Sequence, residues 1–204
     1  MIAISKPYAG ITMNITKKFD KLFEQMVDQK FLKMEALGGE VPFFITSYDI
    51  KEQENVYKEI ERLKNRLQKR NIKVSMIHLY DIVIEILQER KLLDKILEKE
   101  KEIGKERLLI TLKSLLDVPK TVVPKIASKS QSHQIVFLYS IGEVYPYIRS
   151  HTILNNLQSH ITDKPLVMFF PGVYTGTQLS LFGMIKDDNY YRAFNLDSLI
   201  KDHK

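Results

Sequence analysis

The chain has 204 residues, 44% of them hydrophobic, with no cysteine and a formal net charge of +6. Such a length suits one domain with its own core, burying roughly 70% of the unfolded surface. No apolar run approaches the ~18 residues of a membrane span, and the absence of cysteine excludes disulfides, thiolate metal sites and cysteine nucleophiles.

Met1 to Ile11, with Pro7 and Gly10, reads as an N-terminal tail lacking the long apolar run of a signal peptide. A single α/β domain is expected over residues 12–204. A cytoplasmic location is expected too, because a cysteine-free chain fits a reducing cytosol. Residues 14–37 space Phe19, Leu22, Phe23 and Met26 along one helical face. Asn14 or Thr16 caps that helix, and Gly38-Gly39 stops it. VPFFITSY (41–48) is a buried strand, followed by Asp49 and Glu52 at capping-box spacing. The next helix, 51–70, carries Val56, Ile60, Leu63 and Leu67 on one stripe and turns out at Asn71. IKVSMIHL (72–79) is the second strand. Residues 80–116 read as one long helical stretch that Gly104 breaks. Residues 117–133, with two prolines and several small polar residues, read as a loop.

QIVFLYS (134–140) is the third strand, and a helix then runs from Pro146, at its first position, to about His160. LVMFF (166–170) is the fourth strand, and PGVYTG (171–176) is a turn. LSLFGMI (179–185) and YYRAFNL (190–196) form a β-hairpin turned by Asp187, Asp188 and Asn189. Strands thus alternate with helices, which predicts a three-layer α/β sandwich. Its central sheet is mostly parallel, P-loop-NTPase-like in topology, with a C-terminal β-hairpin.

Such sheets bind ligands at the carboxyl ends of their strands. The loop after Tyr48 has no glycine and so no Walker A motif, and its Asp49, Glu52 and Glu54 occupy the place a phosphate would take. Asp81 caps the helix after the second strand. The third loop has a single glycine, Gly142, with Glu143 adding negative charge near the helix start. On that helix Arg149, Thr152 and Asn156 share one polar face, His151 and Asn155 line a neighbouring stripe, and Ile153, Leu154 and Leu157 face the sheet. This polar face is either a partner or ligand surface or a plain wet face. Tyr174 in the fourth loop could line a pocket. Tyr190, Tyr191 and Arg192 could stack on bases, but in a strand Tyr190 and Arg192 face one way and Tyr191 the other, so at least one tyrosine belongs to the core. The five histidines show no zinc spacing, and no catalytic constellation, metal site or cofactor is expected. Most Lys and Arg alternate with acids, as in residues 58–70 and 94–107, which marks solvated helix faces.

Four blocks in order carry a resemblance: VPFFITSYDIKEQENV, IGEVYPYIRSHTILNNL, KPLVMFFPGVYTGTQLSLFG and DDNYYRAFNL. Together they resemble the BrxB family of BREX (bacteriophage exclusion) systems, from about Asn14 to Leu196. One departure is YSIGEVYP (139–146), where the family pattern has a more glycine-rich turn. The resemblance implies a core, non-enzymatic connector subunit of a phage-defence complex. The implied partners are the phosphatase-like PglZ first, then the ATPase BrxC or the methyltransferase PglX, with nucleic acid met only through the complex and no membrane. The candidate partner or ligand surface read from the strand-end loops and the helix face comprises Glu143, Arg149, Thr152, Asn155, Asn156, Tyr174, Tyr190 and Arg192. The rival readings are a degenerate nucleotide-binding protein and a nucleic-acid-binding protein.

Overall fold

Four apolar runs make the centre of one sheet: β1 (Phe43–Tyr48), β2 (Val74–His78), β3 (Ile135–Tyr139) and β4 (Leu166–Tyr174). In the computed structural model, which describes residues 14–35, 40–187 and 189–200, they lie parallel in the order β2-β3-β4-β1. Two short strands, β5 (Leu179–Leu181) and β6 (Ile185–Asp187), fold back antiparallel on the end of β4. A last one, β7 (Phe194–Asn195), extends the parallel sheet beside β1. The tail reading of Met1–Ile11, the Gly38-Gly39 stop and Asp188 lie outside the described residues.

Parallel strands are joined by crossovers, so helices cover both faces of the sheet. On one face lie α1 (Ile15–Val27), the short α2 (Gln29–Leu32) and α3 (Gln53–Gln68). Their Leu22, Met26, Ile60 and Leu63 pack on Phe44, Phe137 and Phe169. On the other face lie α4 (Leu79–Glu89), α6 (Val123–Ser130) and α7 (Ser150–Leu157). From these helices Ile86, Ile126, Ile153 and Leu157 pack on Ile45, Leu138, Met168 and Phe170. Between α4 and α6 runs α5 (Leu93–Leu115), and α8 (Leu196–Leu199) ends the described chain. The chain crosses from β1 to the far edge through α3, then returns through β3 and β4 under helices of the opposite face. That change of face accompanies the change of direction when every crossover keeps one hand. The paths therefore part at the carboxyl ends of β1 and β4.

Several expectations are corrected. The first helix ends at Val27, where Asp28 takes up extended backbone and its side chain accepts the N–H of Lys30 to start α2. The stretch 80–116 is two helices, because Lys91 turns left-handed (φ 55°) and Leu92 N–H closes on Leu87 O. Residues 118–130 are not a loop: a five-residue π turn (Val118–Val122) leads into α6. Pro119 and Pro124 both sit in first-turn positions, where the missing N–H costs nothing. PGVYTG is not a turn either, since β4 runs through to Tyr174 and pairs with β5. The hairpin is β5–β6, turned by Phe182 and Gly183 at positive φ, and the YYRAF segment leaves it to reach β7.

Gly104 breaks α5 as expected, with φ 73° and ψ 166°. A straight helix of 23 residues would span about 34 Å, yet Arg90 Nη1 donates to Leu115 O at 2.7 Å. The helix therefore doubles back at Gly104 as a two-limbed arm. Only its base residues Leu93, Ile96, Leu112 and Leu115 pack against the core, and none of its residues is fully buried. Replacing residues 97–110 by a short Gly-Ser turn is expected to move the melting temperature by less than about 4 °C, since little apolar surface leaves the core. Circular dichroism melts check this.

Candidate functional site

Three strands end in aromatic rings at one edge of the sheet: Tyr48 of β1, His78 of β2 and Tyr139 of β3. Tyr57, from the second turn of α3, leans over the same end. Its ring meets His78 at 5.8 Å and Tyr139 at 5.4 Å, and His78 meets Tyr139 at 5.0 Å, all edge-to-face. Beyond β3 the chain reverses sharply, because Ser140 adopts φ 68° and Glu143 N–H closes a turn on Ser140 O. The turn brings the Glu143 carboxylate to the rings. Tyr57 donates its hydroxyl proton to Glu143 Oε1 at 2.6 Å, and Gln53 donates from 3.4 Å. His78 Nε2 lies 3.7 Å from Oε2. His78 Nδ1 lies 3.3 Å from the Asp81 N–H and 3.2 Å from Asp81 Oδ1, so the ring caps the helix with one nitrogen and faces Glu143 with the other. His78, not Asp81, is thus the cap of α4.

Burial and the proton given to Glu143 push the Tyr57 hydroxyl far up. Tyr48 is 7% exposed, and its hydroxyl has no hydrogen-bond partner among the described residues. Burial first, and the nearby Glu143 charge, raise it too, although the neighbouring Tyr57 hydroxyl acts the other way. Tyr139 is pushed to about 12 by burial, then by the charges of Glu61, Asp81 and Glu143. The edge is therefore a packed cluster of aromatic rings around the Glu143 carboxylate, in a net negative field. Beside it, Tyr48 also forms one wall of an open groove of about 780 Å³ between α1 and α3, into which Lys51 and Glu52 project.

The loops after β1 and β3 are closed by local contacts. Asp49 Oδ1 accepts the Lys51 N–H after β1, and Glu52 holds Asn55 rather than completing a capping box. A Cβ on Gly142 would lie 2.8 Å from the Phe182 ring and 3.3 Å from Pro171. The glycine serves the close approach of the hairpin tip, which fills the end of the sheet there. Pro146 lies in the turn rather than at a helix start, and α7 begins four residues later at Ser150.

The other expected residues divide. Arg149 is exposed at the start of α7, and Asn155 is exposed on it. Thr152 and Asn156 are half-buried and bonded to each other, Asn156 Nδ2 donating to Thr152 O at 2.8 Å. Tyr174 is not on the surface: it is 5% exposed, with its hydroxyl against Ala193 O at 2.7 Å and Gly176 O at 2.8 Å. Tyr190 is 69% exposed and Arg192 is exposed, while Tyr191 is buried. Tyr191 donates to Asp187 Oδ2 at 2.7 Å, and His151 Nδ1 lies 3.1 Å from the same oxygen. Burial pushes Asp187 up, but Tyr191, Asn189 and His151 outweigh it and hold the carboxyl at about 2. That cluster pins the hairpin to α7. Tyr48, Tyr57, His78 and Tyr139 escaped the sequence reading as site residues; their one signal was three polar aromatics, each closing an apolar strand.

These features define an open, mostly parallel α/β protein whose strand ends carry tyrosines and carboxylates. The chain belongs to the BrxB family: the family model described as BREX protein BrxB matches residues 75–196. A protein of Bacillus cereus (strain H3081.97) named BREX protein BrxB is 40% identical over 186 residues, 89% of this chain and 97% of that relative. One of Escherichia coli O9:H4 (strain HS), with the same name, is 30% identical over 184 residues, 88% of this chain and 90% of the relative. No solved structure matches the chain. Among the described residues no helix is long and apolar enough to cross a membrane.

Proposed function

We propose that this protein is a non-enzymatic connector subunit of a BREX phage-defence complex, with the phosphatase-like PglZ as its first partner. The observation that carries the reading is family membership; beside it, the loop after β1 has no glycine and the turn after β3 closes on Phe182 and Pro171 at Gly142. The exposed Arg149, Asn155, Tyr190 and Arg192 include the residue types that carry binding energy at interfaces, Tyr and Arg above all.

The test is co-purification of tagged protein with PglZ, BrxC and PglX from cells in which the system protects against phage. Capture of PglZ supports the reading; capture of none of the three under protecting conditions sinks it. The triple variant Arg149→Ala, Tyr190→Ala, Arg192→Ala is expected to lose at least about tenfold in partner affinity. Its melting temperature is expected to stay within about 4 °C, because all three side chains are exposed. Binding measured by surface plasmon resonance alongside the melt separates the two effects.

A further inference from the structure

The acids that punctuate the helices stop at two places in the chain. From Arg62 to Tyr80 there are six lysines and arginines and no acid, and from Val118 to Gly142 there are three lysines and no acid. The first run leads into β2 and the second into β3, and the pairing of these strands brings them together. Lys73 stands where they meet: its N–H donates to Gln134 Oε1 at 3.0 Å, and its carbonyl accepts the Gln134 N–H at 2.8 Å. At this amino-terminal end of the sheet, opposite the Glu143 cluster, α2 comes alongside the turn after α3. Between them lies an open groove of about 540 Å³. Lys33 and Arg70 line it with three amides, those of Gln29, Asn71 and Gln134, and no acid stands in its wall.

The cations at this groove are free. Lys33, Arg70 and Lys73 are exposed, as are Lys30 and Lys69 beside them in sequence, and none of the five makes a salt bridge among the described residues. On neighbouring helix faces the cations are held: Arg66 pairs with Asp20 at 2.6 Å, Lys64 with Glu61 at 3.6 Å and Lys125 with Glu85 at 3.2 Å. Across residues 28–35 and 69–73 those five cations stand against two acids, Asp28 and Glu35. The helix dipole favours a cation at a carboxyl end, which accounts for Lys69 at the C-cap of α3. It does not account for Lys73, at the start of β2, or for an acid-free wall.

Such a surface suits a polyanion, and the amides say which kind. The carboxylates of an acidic protein only accept, so they would use the amide N–H groups and leave the amide oxygens idle. A nucleic-acid strand gives phosphate oxygens to the cations and also carries base N–H donors for those oxygens. A duplex is read by a helix or ribbon that enters its groove; here the protein supplies the groove, so the fitting partner is a single strand. The wall has no aromatic ring to stack on, which makes the contact electrostatic and indifferent to sequence.

We propose that the groove between α2 and the turn after α3 holds the phosphate backbone of a single nucleic-acid strand. The proposal goes beyond the connector reading and does not rest on it: nucleic acid touches this chain directly, not only through its partners.

The test is fluorescence anisotropy of a labelled single-stranded DNA of mixed sequence, about 16 nucleotides long, titrated with the full chain over a salt series. A dissociation constant on the order of 10 μM is expected near 50 mM salt, weakening about 20- to 100-fold by about 200 mM, as roughly three to five phosphate contacts require. Lys33→Gln, Arg70→Gln and Lys73→Gln together should weaken binding at least about tenfold and flatten the log–log salt slope by about 2. All three side chains are exposed, so circular dichroism should show an intact fold. If it does not, the pair Lys30→Gln and Lys33→Gln carries the test, with a flattening of about 1.4. Lys95→Gln, Lys99→Gln and Lys105→Gln on α5 remove the same charge away from the groove and should weaken binding by about twofold or less. No binding at low salt, equal losses from the two triple variants, or tighter binding to the duplex of the same sequence would overturn the proposal. Equal competition by polyglutamate of the same charge would overturn it too, and would assign the groove to an acidic protein. None of these outcomes touches the co-purification result, so the connector reading stands or falls separately.

Discussion

Gly172→Ala is expected to lower the melting temperature by about 10 °C and to free the β5–β6 hairpin from the end of the sheet. Gly172 sits in β4 at φ +150°, a backbone region that L side chains rarely adopt. A Cβ there would lie 2.1 Å from Ser180 O and 2.9 Å from Phe182 N. Both neighbours are backbone, so no side-chain rotation relieves the clash. Gly172 faces Leu181 in the antiparallel pair that holds the hairpin on, so the strand itself must move. Displacing it also removes Phe182 from its seat against Gly142. Overpacking combined with a disallowed φ costs about 3 kcal/mol, and in a domain of this size each kcal/mol moves the midpoint by about 2–4 °C. Gly183→Ala is the control. Gly183 also has positive φ, 70°, but nothing lies within 4 Å of an added Cβ. Its cost is the backbone term alone, about 1 kcal/mol. Thermal melts of the two variants side by side decide the matter, and equal losses would show that the close approach does not matter.

The same hairpin shows where the sequence was legible and where it was not. The apolar runs of β1 to β4 were readable because strands covered on both faces need continuous apolar residues, whatever their neighbours are. The α1 and α3 stripes were readable for the same local reason, and Phe19, Leu22, Met26, Val56, Ile60, Leu63 and Leu67 are all buried. Pro171 and Gly172 misled because proline and glycine usually mark turns. Here they belong to a strand that changes partners, pairing with β1 up to Pro171 and with β5 from Gly172 onward. Pro119 and Pro124 misled in the opposite direction: the composition of a loop and that of a helix start coincide when proline takes first-turn positions. The Glu143 cluster was harder still. Glu143 was visible as an acid near a turn, but its partners Gln53 and Tyr57 are 90 and 86 residues away. No local pattern encodes that meeting; only the order of the strands does.

Asp197→Ala is expected to cost about 3 kcal/mol and to flatten the acid limb of the stability profile. Asp197 stands in the first turn of α8 and binds the neighbouring strand β1 across 150 residues of sequence. Its Oδ1 lies 2.7 Å from Lys18 Nζ and accepts the Thr46 hydroxyl at 2.6 Å, while Oδ2 accepts both the N–H and the hydroxyl of Ser47 at 3.0 Å. Lys18 in turn donates to Ser47 O at 2.6 Å, so one carboxylate joins α1, β1 and the C-terminal segment. Burial pushes the Asp197 carboxyl up, but Lys18 and the Thr46 and Ser47 donors outweigh it, and the net shift is downward. A folded pKa below the unfolded one adds stability that is present above the unfolded value, about 4, and is lost as pH falls through the folded value. The intact protein should therefore lose stability on acidification below about pH 4, and the Asp197→Ala protein should lose less over the same range. Removing the carboxylate leaves the mostly buried Lys18 without its counter-charge, which is why the cost exceeds that of an exposed ion pair. Lys18→Met, which removes the stranded charge as well, should recover part of the loss when combined with Asp197→Ala. Urea titrations of the two single variants and the double variant at pH 7 and pH 4 measure the coupling. Strictly additive losses would mean that the pair does not hold the C-terminal segment to β1.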